Sequence, residues 1–98
     1  MSIIIDREKY LVIVGGKEIE LPRKEFELFR FLCSVPGKVF SRKQIFEKVW
    51  GEKSKSNDRT VDVHIVNIRK KLGTKLIRTL TGVGYKITEE EILVKDYK

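Results

Sequence analysis

The sequence predicts an α+β domain, and three features carry that prediction. The hydrophobic period changes along the chain from the two-residue alternation of strands to the three-to-four-residue spacing of helices, and then back again. Extended runs lie at both ends and helical ones between them. Glycine, proline and capping residues fall at the borders of the periodic segments and not inside them. With 98 residues, 41% of them apolar, the chain suffices for one domain with one modest core.

The first 21 residues contain "SIII", "YLVIV" and "KEIEL", with Gly15-Gly16 between the last two as a hairpin signal. They predict a small antiparallel sheet of three or four strands. In "LPRKEFELFRFLCSV" the period switches, and Phe26, Phe29, Leu32 and Cys33 make a helical stripe that Pro36-Gly37 ends. In "VFSRKQIFEKVWG", Val39-Phe40 reads as a brief extended segment. Ser41 and Gln44 supply the S-x-x-Q capping box of a second helix that runs to about Val49. "GEKSKSN", Gly51 to Asn57, is polar and aperiodic, hence a loop.

A third helix follows in "DRTVDVHIVNIRKKLG". At about 100° per residue, Val61, Ile65, Ile68 and Leu72 form one narrow apolar stripe. Asn57 or Asp58 can cap its start, and Gly73 can end it in the left-handed conformation. Beyond it, "TKLIRTLTGVGYKI" has two extended runs around a two-glycine turn, Thr81 to Gly84, which predicts a hairpin over residues 77–87.

Composition excludes several functions. Cys33 has no partner for an internal disulfide and sits among Leu28, Phe29 and Leu32, where a thiol packs as a small apolar group. His64 is the only histidine, no phosphate-cradling glycine motif occurs, and no nucleophile–base pattern is present. Neither catalysis, a metal nor a cofactor is expected. No apolar run is long enough to span a membrane, so the protein is expected to be cytoplasmic. Lys and Arg number 21 against 14 acidic residues, a net charge of +7, which suggests an anionic partner. Residues 37–86 hold 13 Lys and Arg against 4 acidic residues, a net of +9, whereas residues 1–36 balance at six of each. Residues 87–98 have two basic residues against four acidic ones, −2.

The outward face of the third helix falls within the basic segment. Arg59, Val63, Val66 and Lys70 lie opposite the apolar stripe, flanked by Thr60, Asp62 and Asn67. A merely solvated face more often carries Glu–Lys pairs. Two short helices, a third with such a face and a basic hairpin are the parts of a winged helix-turn-helix. Short side chains suit close approach to bases, so Asp62, Val63, Val66 and Asn67 are the base-edge candidates. A valine methyl can meet a thymine methyl, and an Asn amide can pair with adenine. Arg59, Arg69 and Lys70 are placed to meet phosphates. The competing readings are a solvated face with two incidental valines, and a winged helix whose basic face binds an acidic protein.

"DRTVDVHIVNIRKKLG" followed by "IRTLTGVGYKI", with "KEFELFRFL" and "VFSRKQIFEKVWG" upstream, resembles the DNA-binding effector domain of OmpR/PhoB-type bacterial response regulators. The combination of R-T-V-D-V-H-I with G-x-G-Y is very specific, and the likeness runs from about Ile3 to Ile87. It implies a four-stranded N-terminal sheet, a three-helix bundle and a C-terminal wing, with the third helix (about residues 58–72) in the major groove of promoter DNA. It also implies direct repeats bound by a tandem dimer. Phosphate contacts carried over from the family fall on Trp50, Arg59, Thr60, His64, Thr79 and Tyr85. All of these can donate to phosphate oxygens. Trp50 as a core-edge anchor, Tyr85 as a wing-packing residue and His64 as a packed helix-edge residue are the rival assignments. In some members the loop before the third helix touches RNA polymerase, which here singles out Lys53, Ser54 and Lys55.

Two departures stand out. Many relatives carry Arg just before the wing glycine, and this chain has Thr81, which is too short to enter a minor groove and suits a phosphate contact instead. Val66 and Asn67 replace arginines of several relatives, so their operators do not transfer. A complete regulator of this type carries an N-terminal receiver domain, and nothing in these 98 residues is long enough to be one. The chain is therefore expected to be an excised effector domain that a sensor kinase reaches only through a receiver absent from this chain, with a stand-alone regulator as the minority reading. The tail "TEEEILVKDYK", within residues 88–98, reads as a frayed end or an appended segment.

Overall fold

A computed structural model describes residues 2–51, 59–88 and 91–95. β1 (Ser2–Asp6), β2 (Leu11–Val14) and β3 (Lys17–Glu20) form an antiparallel meander. Gly15 and Gly16, at φ 56° and 83°, make the two-residue connection that pairs Val14 with Lys17. Two successive positive φ values match the right-handed twist of the flanking strands, and glycine reaches them without steric cost. Asp6 is buried and stabilises the turn between β1 and β2, its Oδ1 accepting from the Glu8 and Lys9 amides at 3.1 Å each.

α1 (Arg23–Cys33) starts directly after Pro22, and its Phe26, Phe29, Leu32 and Cys33 are all buried, as the stripe predicts, together with Leu28. α2 (Arg42–Trp50) opens on the predicted capping box. The Gln44 amide donates to Ser41 Oγ at 3.0 Å, and the Ser41 amide donates to Gln44 Oε1 at 2.8 Å. α3 (Arg59–Leu72) buries Val61, Ile65 and Ile68. Its cap candidates Asn57 and Asp58 lie outside the described residues. Gly73, at φ 95°, ends it, with its amide donating to the Arg69 carbonyl at 2.8 Å. β4 (Ile77–Leu80) and β5 (Gly84–Ile87) form the C-terminal hairpin. The expected extended segment before α2 proves to be a single bridge from Phe40 to Tyr85.

The tail departs from expectation. Glu91–Lys95 forms β6 and pairs with β1 in parallel, with Ser2 opposite Glu91 and Asp6 opposite Lys95. The sheet order is therefore β3-β2-β1-β6, so the sheet is mixed, and its fourth strand comes from the far end of the chain instead of the N-terminal region. The run "ILV" was a legible strand. Its lack of turn chemistry was misleading, because a parallel partner needs a long crossover in place of a tight turn. Here the crossover is most of the domain.

α1 packs on α2, α3 and β5, so the helical layer and the sheets share one core. Ile3, Ile5 and Val12 from the sheet meet Leu28, Phe29 and Leu32 of α1, Ile45 of α2, Val61 and Ile68 of α3 and Ile87 of β5, all fully buried. Each such side chain contributes about 1.5 to 3 kcal/mol by leaving water. The buried Cys33 thiol is pushed up to about 12 by that burial, so it packs as an apolar group with almost no thiolate at neutral pH.

One charge pair is set into this core. Glu25 is 6% exposed, and Lys71 Nζ donates to its Oε1 at 2.7 Å, tying α1 to the last turn of α3. Removing Lys71 alone leaves a buried carboxylate without its cation. Lys71→Met is therefore expected to destabilise the fold by about 1 to 3 kcal/mol in urea unfolding, a figure reduced for the partial exposure of the lysine. Adding Glu25→Leu should restore most of that loss.

Candidate nucleic-acid interface

α3 and the hairpin stand side by side because the hairpin is fixed to the segment entering α2. The Phe40 amide donates to the Tyr85 carbonyl at 2.9 Å, and the Tyr85 amide donates back to Phe40 at 3.0 Å. At Gly84 the two backbones are so close that a Cβ would lie 2.0 Å from the Phe40 carbonyl oxygen and 2.9 Å from Ser41 Cα. A two-glycine turn points first to positive φ, and Gly84 does lie at φ 157°. The stronger requirement at Gly84 is this close approach of backbone to backbone.

Side chains then join the hairpin to α3. Arg69 donates to the Ile77 carbonyl and to Thr79 Oγ1, both at 2.8 Å, and its guanidinium lies 5.8 Å from the centre of the Tyr85 ring. The Tyr85 hydroxyl donates to Asp62 Oδ1 at 2.6 Å. Arg42, from the first turn of α2, pairs with Asp62 Oδ2 at 2.9 Å. Burial, then the hydrogen bond and charge of Asp62, push the Tyr85 phenol up to about 12, so it stays protonated at neutral pH. Arg42, Asp62, Thr79, Thr81 and Tyr85 line a cleft of about 280 Å³ between α3 and the hairpin turn.

A second cluster sits on the other side of α3. Trp50 stacks on Phe46 with ring centres 5.3 Å apart, and its ring meets His64 edge-on at 4.8 Å. His64 Nδ1–H donates to the Thr60 carbonyl at 2.8 Å. The structure thus gives Trp50 and His64 the packing contacts of their rival assignments, and only Nε2 of the imidazole is left for an outside partner. Tyr85 likewise is buried, at 8% exposure.

The residues between the clusters face outward. Val63 is 57% exposed and Val66 49%, Arg59 and Lys70 are exposed, and Asn67 and Thr60 are half-buried. Thr79, Thr81 and Val83 are exposed on the hairpin, as is Arg78. Of the five large apolar residues exposed among the described residues, Val63, Val66 and Val83 lie on α3 or the hairpin turn. The loop candidates Lys53, Ser54 and Lys55 lie outside the described residues. Sequence reading missed Arg42, whose only signal is its place after the Ser41 cap, far from α3 in the chain.

The arrangement of a delimited helix with a mixed apolar and cationic face beside a basic hairpin agrees with the relatives found. The family described as "Transcriptional regulatory protein, C terminal" matches residues 16–87. The heme response regulator HssR of Staphylococcus epidermidis is 40% identical over an alignment of 93 positions that covers 90% of this chain and 41% of that protein. The phosphate regulon transcriptional regulatory protein PhoB of Rhizobium meliloti is 43% identical over 90 residues, 88% of this chain and 40% of the relative. The chain thus spans about two fifths of the length of these relatives. Among solved structures, the DNA-binding domain of Bacillus subtilis CssR superposes with a TM-score of 0.79 at 30% identity, covering 88% of this chain and 99% of that one. The DNA-binding domain of response regulator AdeR, solved in complex with an intercistronic region, gives 0.78 at 28% identity over 90% and 95% of the two chains.

Replacing Gly84 by Ala tests the packing argument. The added Cβ must push the hairpin away from Phe40, so Gly84→Ala should cost about 1 to 3 kcal/mol in thermal unfolding. It should also weaken duplex binding, whereas Gly82→Ala, where a Cβ meets open space and only the positive φ of 79° is strained, should weaken binding less. Equal effects of the two would remove the close-approach explanation. The chain belongs to the family of C-terminal domains of transcriptional regulatory proteins, and is a DNA-binding winged-helix effector domain of the OmpR/PhoB response-regulator type.

Proposed function

We propose that α3 lies in the major groove of promoter DNA with Val63, Val66 and Asn67 against base edges, and that the β4–β5 hairpin is a wing along the neighbouring backbone. The observation that carries this reading is the partition of polar groups on α3. His64 and Arg69 are held by contacts within the domain, whereas the two valines and Lys70 are left outward. A stable monomer gains nothing from exposing paired valines in a basic surface. A groove that offers thymine methyls and adenine edges does use them.

Phosphates on either side are met by Arg59, Thr60, Lys70, Thr79 and Thr81. Thr79 Oγ1 accepts from Arg69, which leaves its own proton for a phosphate oxygen. Trp50, His64 and Arg69 fix the angles at which these groups are presented. Thr81 confines the wing to the backbone, because it lacks the reach of an arginine into a minor groove. Two copies occupy direct repeats in tandem, and a receiver domain elsewhere in the intact cytoplasmic protein couples them to a sensor kinase. No helix among the described residues is long and apolar enough to cross a membrane.

Selection of bound duplexes from a random pool tests this directly, with direct repeats about one helical turn apart as the expected result. On the selected site, Asn67→Ala should relax preference at one or two positions by about 1 to 3 kcal/mol while leaving the remaining positions unchanged. Uniform weakening across sequences would move Asn67 to the backbone contacts.

The segment at residues 51–57, read from the sequence as a polar loop, is proposed to meet RNA polymerase, as the family resemblance implies. Replacing Lys53 and Lys55 by Ala in the full-length regulator should lower transcription from the selected promoter and spare DNA affinity. Parallel loss of both would exclude a separate polymerase contact.

A further inference from the structure

We propose that Arg42 is a further phosphate-binding residue of this interface, aimed by Asp62, and that Asp62 and Tyr85 are positioning residues and not contacts to DNA. The inference rests on the placement of α3 and the wing against a duplex.

Proton accounting carries it. A phosphate oxygen only accepts hydrogen bonds, so every contact to it needs a donor. The Tyr85 hydroxyl has one proton, and Asp62 Oδ1 holds it at 2.6 Å. Asp62 offers acceptors alone, and both of its oxygens are taken, Oδ2 by Arg42 at 2.9 Å. Neither residue therefore has anything left to give a phosphate, and an unpaired Asp62 carboxylate would repel one.

Arg42 is the member of the chain with donors to spare. A guanidinium carries five N–H groups in a planar fork that suits phosphate. One nitrogen, Nη2, is engaged with Asp62, and the buried Nε–H has no partner among the described residues. The side chain is still 43% exposed, and it lines the cleft between α3 and the wing turn opposite Thr79 and Thr81, which stand among the proposed phosphate contacts. Asp62 thus acts on DNA through Arg42, holding the fork at the cleft. Tyr85 in turn holds Asp62, and because Tyr85 is hydrogen-bonded to Phe40 through its backbone, the aim of Arg42 is tied to the position of the wing.

The test is a double-mutant cycle read by duplex affinity over a range of salt, on the selected site and on a scrambled duplex of equal length. Arg42→Ala should weaken both by about tenfold, the scale of one charge-assisted hydrogen bond. It should also reduce the slope of log K against log salt by up to about 1. Arg42→Lys should keep the slope and regain only part of the affinity, since it keeps the charge without the fork. Tyr85→Phe should weaken binding in the parent and have no further effect once Arg42 is Ala, because it acts through Asp62 and Arg42. Thermal unfolding of each variant reports whether the fold is retained, and Arg42→Gln, which removes the charge but keeps a long polar stem, serves in place of Arg42→Ala if the latter unfolds.

An unchanged affinity and slope in Arg42→Ala would overturn the proposal, as would an equal cost of Tyr85→Phe in both backgrounds, which would make Tyr85 a direct contact. A parent protein that shows no preference between the selected and scrambled duplexes would instead overturn the groove placement itself.

Discussion

The contact on which the functional face depends is the backbone-to-backbone approach of Gly84 and Tyr85 to Phe40. It is a two-hydrogen-bond bridge outside any sheet ladder, possible only because residue 84 has no Cβ. An isolated two-stranded hairpin is marginal in water. This one is held because its second strand is docked on the segment that enters α2, where the Ser41–Gln44 capping box fixes the direction of the helix. Whatever sets the start of α2 therefore also sets the wing. The same short segment delivers Arg42 to the cleft beside α3, so the three elements proposed to face DNA share one anchoring point.

Given that anchor, the polar residues of α3 divide into two groups with different jobs. Asp62, His64 and Arg69 are consumed by the wing, the helix backbone and the Trp50 cluster, which limits the ways α3 can roll against its neighbours. Val63, Val66 and Lys70 have the opposite property of making few demands on the domain. A recognition helix needs both groups, since a reader that could rotate by one residue would present a different set of side chains to the bases. The pair of buried Glu25 and partly exposed Lys71 adds the same kind of restraint at the far end of the helix, joining its last turn to α1.

Much of this was legible in the sequence because it rests on local periodicity and local caps. The stripes of α1 and α3, the Gly15-Gly16 hairpin, the capping box of α2 and the closing Gly73 all follow from residues within a few positions of one another. What the sequence hid depends on contacts between distant segments. Asp62 reads as one more short side chain on an outward face, and only the fold shows that Arg42 and Tyr85 claim both its oxygens. Trp50 and His64 read equally as contacts or as packing, and a stack extending to Phe46 supplies the packing reading with its geometry. β6 was hidden for a different reason: its partner β1 lies at the opposite end of the chain, and parallel pairing leaves no turn signature to find.

On the groove placement proposed above, the small number of outward readers has a consequence for how such a domain achieves selectivity. Two valines and one amide can discriminate at only a few base pairs, each worth about 1 to 3 kcal/mol. A wing ending in Thr81 adds grip on the backbone but little information, since a threonine does not reach into the minor groove. Most of the affinity then comes from cations along the +9 segment, a contribution that is blind to sequence and falls with salt. A single copy of this surface would bind many sites with similar strength. In the proposed tandem arrangement, two copies on spaced repeats would add their base readout while the spacing itself became a further requirement, so selectivity would be gained by joining domains rather than by enriching the helix. On that arrangement the weight of specificity falls on whatever brings two copies together.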